Sequence, residues 1–191
     1  MTFKEASYYR EKFAKISLSG ATIREKIFEE CEFANSSFID CKFEKTKFLN
    51  CKFVDCILSA VSPLNCRFYE VKFTQCKVLG IDWTKAAQVS DLEFQSCQIN
   101  YSNFRMLKLP KIKIVSCEAK EVDFIETDLS NADLSHTDFE RSQFFKTNLT
   151  HADFQGAKNY LIDVKNNTLK KARFSLPEAL ALLNSLDIII E

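Results

Sequence analysis

The stretch CEFANSSFIDCKFEKTKFLNCKF, residues 31–53, places Phe33, Phe38, Phe43, Phe48 and Phe53 five apart. Neither regular element explains that spacing. A helix face recurs at three and four residues and a strand face at two. Five drifts off a helix face within a few repeats and alternates sides along a strand. The chain must therefore turn a corner about every five residues and return each large side chain to one axis. That is the signature of a solenoid.

The rhythm extends well beyond this stretch. Upstream it runs back through Phe28, Ile23, Leu18, Phe13 and Tyr8 to Phe3, and downstream through Leu58, Phe68, Phe73 and Val78 to Trp83. The frame then slips by one residue in WTKAAQVSDLEF and resumes at Val89, Phe94, Ile99, Phe104, Leu109 and Ile114. Phe124, Leu129, Leu134, Phe139, Phe144, Leu149 and Phe154 follow, and Val164, Leu169 and Phe174 close the series. Of 18 phenylalanines only Phe145 lies outside the frame. Two residues before each of these centres stands a small residue, such as Cys31, Ser36, Cys41, Thr46 or Ala132. It is expected to point inward beside the centre, while the intervening polar positions face solvent.

Three places depart from the pattern. Pro63 occupies a centre, so that corner is expected to bulge and Leu64 to turn inward. The slip between residues 83 and 89 reads as a bulge or as a short loop with a binding role. Glu11 and Lys26 fall where a small inward residue belongs, so residues 1–28 read as an N-terminal cap or irregular first coil. The repeat array covers residues 29–174. With 3 Gly and 3 Pro in 191 residues, tight glycine turns are not expected to organise the fold.

Residues 175–191 read differently, as SLPEALALLNSLDIIIE. Ser175 and Glu178 form an S-x-x-E capping box with Pro177 in the first turn. Leu176, Leu180, Leu182, Leu183 and Leu186 surround most of the helix that follows, and Ile188, Ile189 and Ile190 form a very short strand. A helix apolar on nearly all sides is buried on nearly all sides. This piece is either an end cap alone or a cap that also joins two copies across a two-fold axis. The interface would then comprise Leu176, Leu180, Leu183, Leu186, Ile188 and Ile190.

The composition narrows the chemistry. Lys plus Arg and Asp plus Glu both total 26, which lacks the basic excess of a nucleic-acid binder. No apolar run is long enough for a membrane helix, and the first residues, MTFKEASYYREKF, carry charge where a signal peptide needs an apolar stretch. A cytoplasmic protein with no direct nucleic-acid or membrane binding is expected. All 8 cysteines lie two before a centre, with no C-x-x-C pair. Cys31 and Cys51, Cys56 and Cys76, and Cys97 and Cys117 stand twenty residues apart, and they read as buried apolar filler. His136 and His151 read as surface corner residues. No cofactor, metal spacing or catalytic arrangement is present, so an enzyme is not expected.

The later half contains TDLSNADLSHTDF and TNLTHADF, which match the motif A(D/N)LXX. The chain resembles the pentapeptide-repeat family from about residue 31 to 174. That resemblance implies an all-β solenoid, a right-handed quadrilateral β-helix with four pentapeptides per coil. The terminal helix and apolar strand look like the topoisomerase-protecting branch, which includes the Qnr quinolone-resistance proteins, the MfpA type and the microcin immunity protein. For that branch the resemblance implies a tail-to-tail homodimer whose acidic surface mimics DNA and engages DNA gyrase. The chain departs from it in its neutral net charge and in lacking long inserted loops.

Residues 118–153 supply an acidic zone. Asp123, Asp128, Asp133, Asp138 and Asp153 each stand one before a centre, hence outward, with Glu140 among them. They form the expected partner-binding surface of a DNA mimic, flanking the two-fold axis. Asp is equally the usual solvent-facing residue of A(D/N)LXX. The other function class is a structural interaction rod that presents a sheet face to an unrelated partner.

Overall fold

In the computed structural model, which describes residues 3–186 and Ile188, each pentapeptide runs briefly extended and then turns a corner. The strands as far as Lys113–Val115 are three residues long, as in Ser7–Tyr9, Lys12–Ala14, Ser17–Ser19 and Thr22–Arg24. All pairing is parallel and one coil apart, so that Phe33 pairs with Phe13 below and Phe53 above. About eight coils spaced ~4.8 Å apart give a rod on the order of 40 Å long. The expected β-solenoid is the observed fold.

Four faces result. The first carries Phe43, Trp83, Phe104, Phe124 and Phe144 as centres, and the second Phe28, Phe48, Phe68, Val89 and Leu129. The third carries Phe33, Phe53, Phe73, Phe94 and Leu134, and the fourth Phe38, Leu58, Val78, Ile99 and Phe139. All of these are buried. Along the third face Phe33, Phe53, Phe73 and Phe94 stack with ring centroids 4.7, 5.0 and 5.0 Å apart. The residues before 29 take the same form, with strands in register with the coil above. Glu11 is exposed, and Lys26 is accommodated by turning its ammonium to the Glu5 carbonyl at 2.7 Å.

The small inward residues are more than filler. The Cys51 thiol donates to the Phe28 and Leu49 carbonyls at 3.3 and 3.4 Å. Thr137 Oγ1 uses the equivalent position, donating to Ile114 O at 2.7 Å and accepting from Cys117 N–H at 3.1 Å. Burial pushes the Cys51 thiol up to about 12 and Cys66 up to about 11, which disfavours the reactive thiolate. All eight thiols are free and buried. Ellman's reagent should therefore titrate none of them in the native protein and all of them after denaturation. A thiol that reacts natively would place its column at the surface.

The corners do need the left-handed backbone region, and mostly non-glycine residues adopt it. Asn35, Asp40, Lys45, Asn50 and Asp55 have φ between 48 and 52°. Each costs up to about 1–2 kcal/mol, which the repeated burial of the centres offsets. Ala60, at φ 52°, has no polar side chain to compensate locally. Ala60→Gly should stabilise by about 0.5–1 kcal/mol after the entropy of the unfolded glycine is subtracted. A denaturation midpoint below that of the parent would refute this. Gly156 is the converse, because a Cβ there would run into the His136 ring.

Pro63 behaves differently from expectation. It is buried on Phe43 within the strand Ser62–Leu64, and Leu64 remains 45% exposed. Other centres donate their N–H upward, as Trp83 does to Asn103 O at 3.0 Å. A proline at this centre has no such proton for the Asp82 carbonyl above, which instead accepts from Lys85 N–H at 3.3 Å. That bond belongs to the 3₁₀ turn Trp83–Lys85, whose start is capped by Asp82 accepting from Thr84 N–H at 3.2 Å. The turn is the one-residue slip, after which Phe68 pairs with Val89. A second irregularity lies near the C-terminus. Ile162, not Val164, stands over Phe144, and Tyr160 fills the core while Val164 is half-buried.

Candidate partner-binding surface

The aspartates before the centres hold the later coils together. Asp123, Asp128, Asp133, Asp138 and Asp153 each use Oδ1 to accept the backbone N–H two residues on, at 2.8–3.2 Å. This Asx bond satisfies a donor locally, and apart from the paired strands Asp153–Phe154 and Arg173–Phe174 the pairing there reduces to isolated bridges. Each carboxylate has a further side-chain partner. Asp123 pairs with Arg105 at 2.9 Å, Asp138 with Lys158 at 3.6 Å and Asp153 with Arg173. Asp128 accepts from Asn148 Nδ2 at 2.9 Å, Asp133 from Ser135 Oγ at 2.6 Å, and Glu140 pairs with Lys120 at 3.2 Å.

The expected acidic residues do not all share one face. Asp123 stands on the first, Asp128 on the second, Asp133 on the third and Asp138 on the fourth, one circuit of a single coil. Asp133 and Asp153 are neighbours on the third face, and Asp138 and Glu140 on the fourth. Similar pairs run the length of the rod, among them Arg10–Glu30, Arg24–Glu44, Arg141–Glu121 and Lys146–Glu126. Opposite charges twenty residues apart are readable in the sequence once the coil period is known. A count over the acidic window alone misses them, because Arg105, Lys158 and Arg173 lie outside it.

The C-terminal piece is a 3₁₀ helix, Glu178–Leu186, with Pro177 just before it. Ser175 does not close the expected capping box; its Oγ accepts from Gly156 N–H in the coil below at 3.1 Å. Ser185 Oγ accepts from Val164 N–H at 3.2 Å, and Leu182 packs against the core. The helix is thereby fastened across the end of the rod. Leu176, Leu180, Leu186 and Ile188 remain 77, 51, 38 and 54% exposed, and Leu183 is half-buried. Ile190 lies outside the described residues.

An open groove of about 500 Å³ runs over the corner between the second and third faces. Its floor is an ion-pair relay in which Glu93 contacts Lys72 at 3.1 Å and Lys113 at 3.6 Å. Among the described residues no cluster of His, Cys, Asp and Glu could hold a metal ion, and no helix is long and apolar enough to cross a membrane.

Residues 26–104 match the family described as pentapeptide repeat region, and residues 123–158 match pentapeptide repeats. The chain belongs to the pentapeptide-repeat family. No curated protein sequence matches it. Among solved structures it is similar to QnrB1, a plasmid-mediated fluoroquinolone resistance protein. A trypsin-treated form of QnrB1 matches with a TM-score of 0.77 at 20% identity, over 94% of this chain and 99% of that one. Full-length QnrB1 matches with a TM-score of 0.64 at 20% identity, over 95% and 100%. At that identity the likeness is one of fold.

Proposed function

We propose that this pentapeptide-repeat protein is a non-catalytic binding rod that engages a type II topoisomerase, DNA gyrase, and modulates or protects it, as in quinolone resistance. The observation that carries the reading is the end-to-end correspondence in fold with a fluoroquinolone resistance protein. The rod acts in the cytoplasm as a homodimer joined through Leu176, Leu180, Leu183, Leu186, Ile188 and Ile190. The exposed leucines of a helix already fastened to its own rod support that joint. Leu180→Asp should leave the coils folded and halve the mass measured by light scattering; an unchanged mass would remove this interface.

In its DNA-mimicking form the reading assigns the contact to Asp123, Asp128, Asp133, Asp138, Glu140 and Asp153. Their dispersal over four faces and the pairing of Asp123, Asp138, Glu140 and Asp153 with cations favour a second reading, a structural interaction rod with an unrelated partner. Gyrase supercoiling and quinolone-stabilised DNA cleavage, with the protein titrated in, separate the two. An inert protein would support the unrelated partner. A variant carrying Asp123, Asp128, Asp133 and Asp138 as Asn keeps the Asx acceptors and hence the fold. Loss of the gyrase effect in that variant would identify the carboxylates as the contact, and retention would move the contact elsewhere on the rod.

A further inference from the structure

The third face carries two columns of outward side chains, one residue after and one residue before its centres. The column after the centres holds no charge. Ala34, Val54, Thr74, Gln95 and Val115 stand in it one coil apart, and Ser135 and Gln155 continue it. The column before the centres is charged at every coil. Lys52 and Lys72 are neighbours in it, and so are Asp133 and Asp153. Like charges directly opposite each other in a ladder are destabilising, yet this column keeps one basic and one acidic doublet. Between the doublets stand Glu93 and Lys113, and outside them Glu32 and Arg173. Within the chain Glu93 touches Lys72 and Lys113, and Asp153 touches Arg173. Among the described residues Glu32, Lys52 and Asp133 make no ion pair.

We infer that the third face docks a second copy of this chain, antiparallel, about a two-fold axis passing between Glu93 and Lys113. That axis lies in the contact plane and crosses both rods, so each column meets its own counterpart reversed. Lys52 of one copy then faces Asp153 of the other, and Lys72 faces Asp133. Glu93 faces Lys113, Glu32 faces Arg173, and the symmetry makes each pair twice. The corner column beside them follows suit, with Glu30 facing Lys171, Asp91 facing Lys111 and Glu70 facing Asn131. No like charges meet in these columns. In the uncharged column Thr74 faces Ser135 and Gln95 faces Val115, which lets the two sheets approach. The same operation on the fourth face brings one opposite pair together in the equivalent column, Lys77 with Asp138. The open groove lined by Lys52, Lys72, Glu93 and Lys113 falls within the contact and leaves room for the facing side chains. Complementary charge of this kind fixes register more than it adds affinity. About seven coil steps of ~4.8 Å by one three-residue strand give on the order of 350 Å², against ~800 Å² per partner in a stable interface. The contact is therefore weak and salt-sensitive, and it adds to the C-terminal joint rather than replacing it. It does not depend on the topoisomerase reading.

Lys52→Glu combined with Lys72→Glu tests this, because it sets acid against Asp153 and Asp133. Lys47→Glu combined with Arg67→Glu is the control, an equal change of charge at neighbouring positions on the second face. Mass is measured by analytical ultracentrifugation at a protein concentration on the order of 100 μM. The two conditions are about 0.01 M and about 1 M salt, where charges act over ~30 and ~3 Å. The parent and the control should gain about twofold or more in mass at low salt, and the Lys52→Glu/Lys72→Glu protein should gain nothing. Leu180→Asp, which opens only the C-terminal joint, should keep the gain. If the Lys52→Glu/Lys72→Glu protein fails to fold by circular dichroism, Glu32→Lys, which sets base against Arg173, replaces it. A parent of equal mass at both salts would overturn the inference, as would a third-face variant that gains like the parent. A control that loses the gain would overturn it in favour of unspecific charge attraction. Loss of the gain in Leu180→Asp would overturn it by moving the salt-sensitive contact to the C-terminus.

Discussion

Phe48→Ala is expected to lower the unfolding free energy by about 3–5 kcal/mol. The Phe48 ring is 1% exposed and stacks on Phe28 and Phe68, each 5.2 Å away between centroids. It also meets Phe43 and Phe53 in tilted contacts, at 5.3 and 5.7 Å. Deletion removes apolar transfer energy and leaves a cavity, and a closed coil cannot collapse inward without breaking its own ladder. The loss is a large share of the ~5–15 kcal/mol typical of a domain. Chemical denaturation followed by circular dichroism measures it, and an unchanged midpoint would mean that the ring is not load-sharing. Because each coil contacts only its neighbours, the damage should spread from the middle coils rather than from the C-terminal helix.

Thr137→Val is expected to cost about 1–3 kcal/mol although it keeps shape and volume. The Thr137 hydroxyl is fully buried and bridges two coils, donating to Ile114 O and accepting from Cys117 N–H. Valine leaves that carbonyl and that N–H without these partners in a closed interior, where water does not substitute. Thr137→Ser restores the hydroxyl and should recover most of the loss. A valine variant as stable as the parent would show that the inward position needs only volume.

Much of this was legible in the sequence because a core imposes its period directly. Phe33, Phe38, Phe43 and Phe48 must each reach one axis, so their spacing reports the length of a side of the coil. The inward position of Cys51 or Thr137 was legible for the same reason, though not the hydrogen bond that each donates. Pro63 was misread because the consequence of its missing N–H falls on Asp82, nineteen residues away in sequence and adjacent only in the folded coil. The five-residue count passes through Val164 and makes it a centre. Two residues are lost between Lys158, which still stands over Asp138, and Ile162, which stands over Phe144, and the turn around Asp163 restores them, so that Thr168 stands over Asn148.

The sequence by itself determined the coil: its period, its buried centres, its small inward residues and the apolar terminal helix. Each follows from burial, which acts on residues one at a time and so leaves a periodic trace. Only the tertiary structure decided how charge is distributed. Asp123, Asp128, Asp133 and Asp138 are close in the chain, yet the corners turn them to four different faces. Arg105, Lys158 and Arg173, distant in the chain, come to stand beside Asp123, Asp138 and Asp153. Electrostatic interaction depends on distance in space, and a solenoid makes its nearest neighbours one full coil apart in sequence.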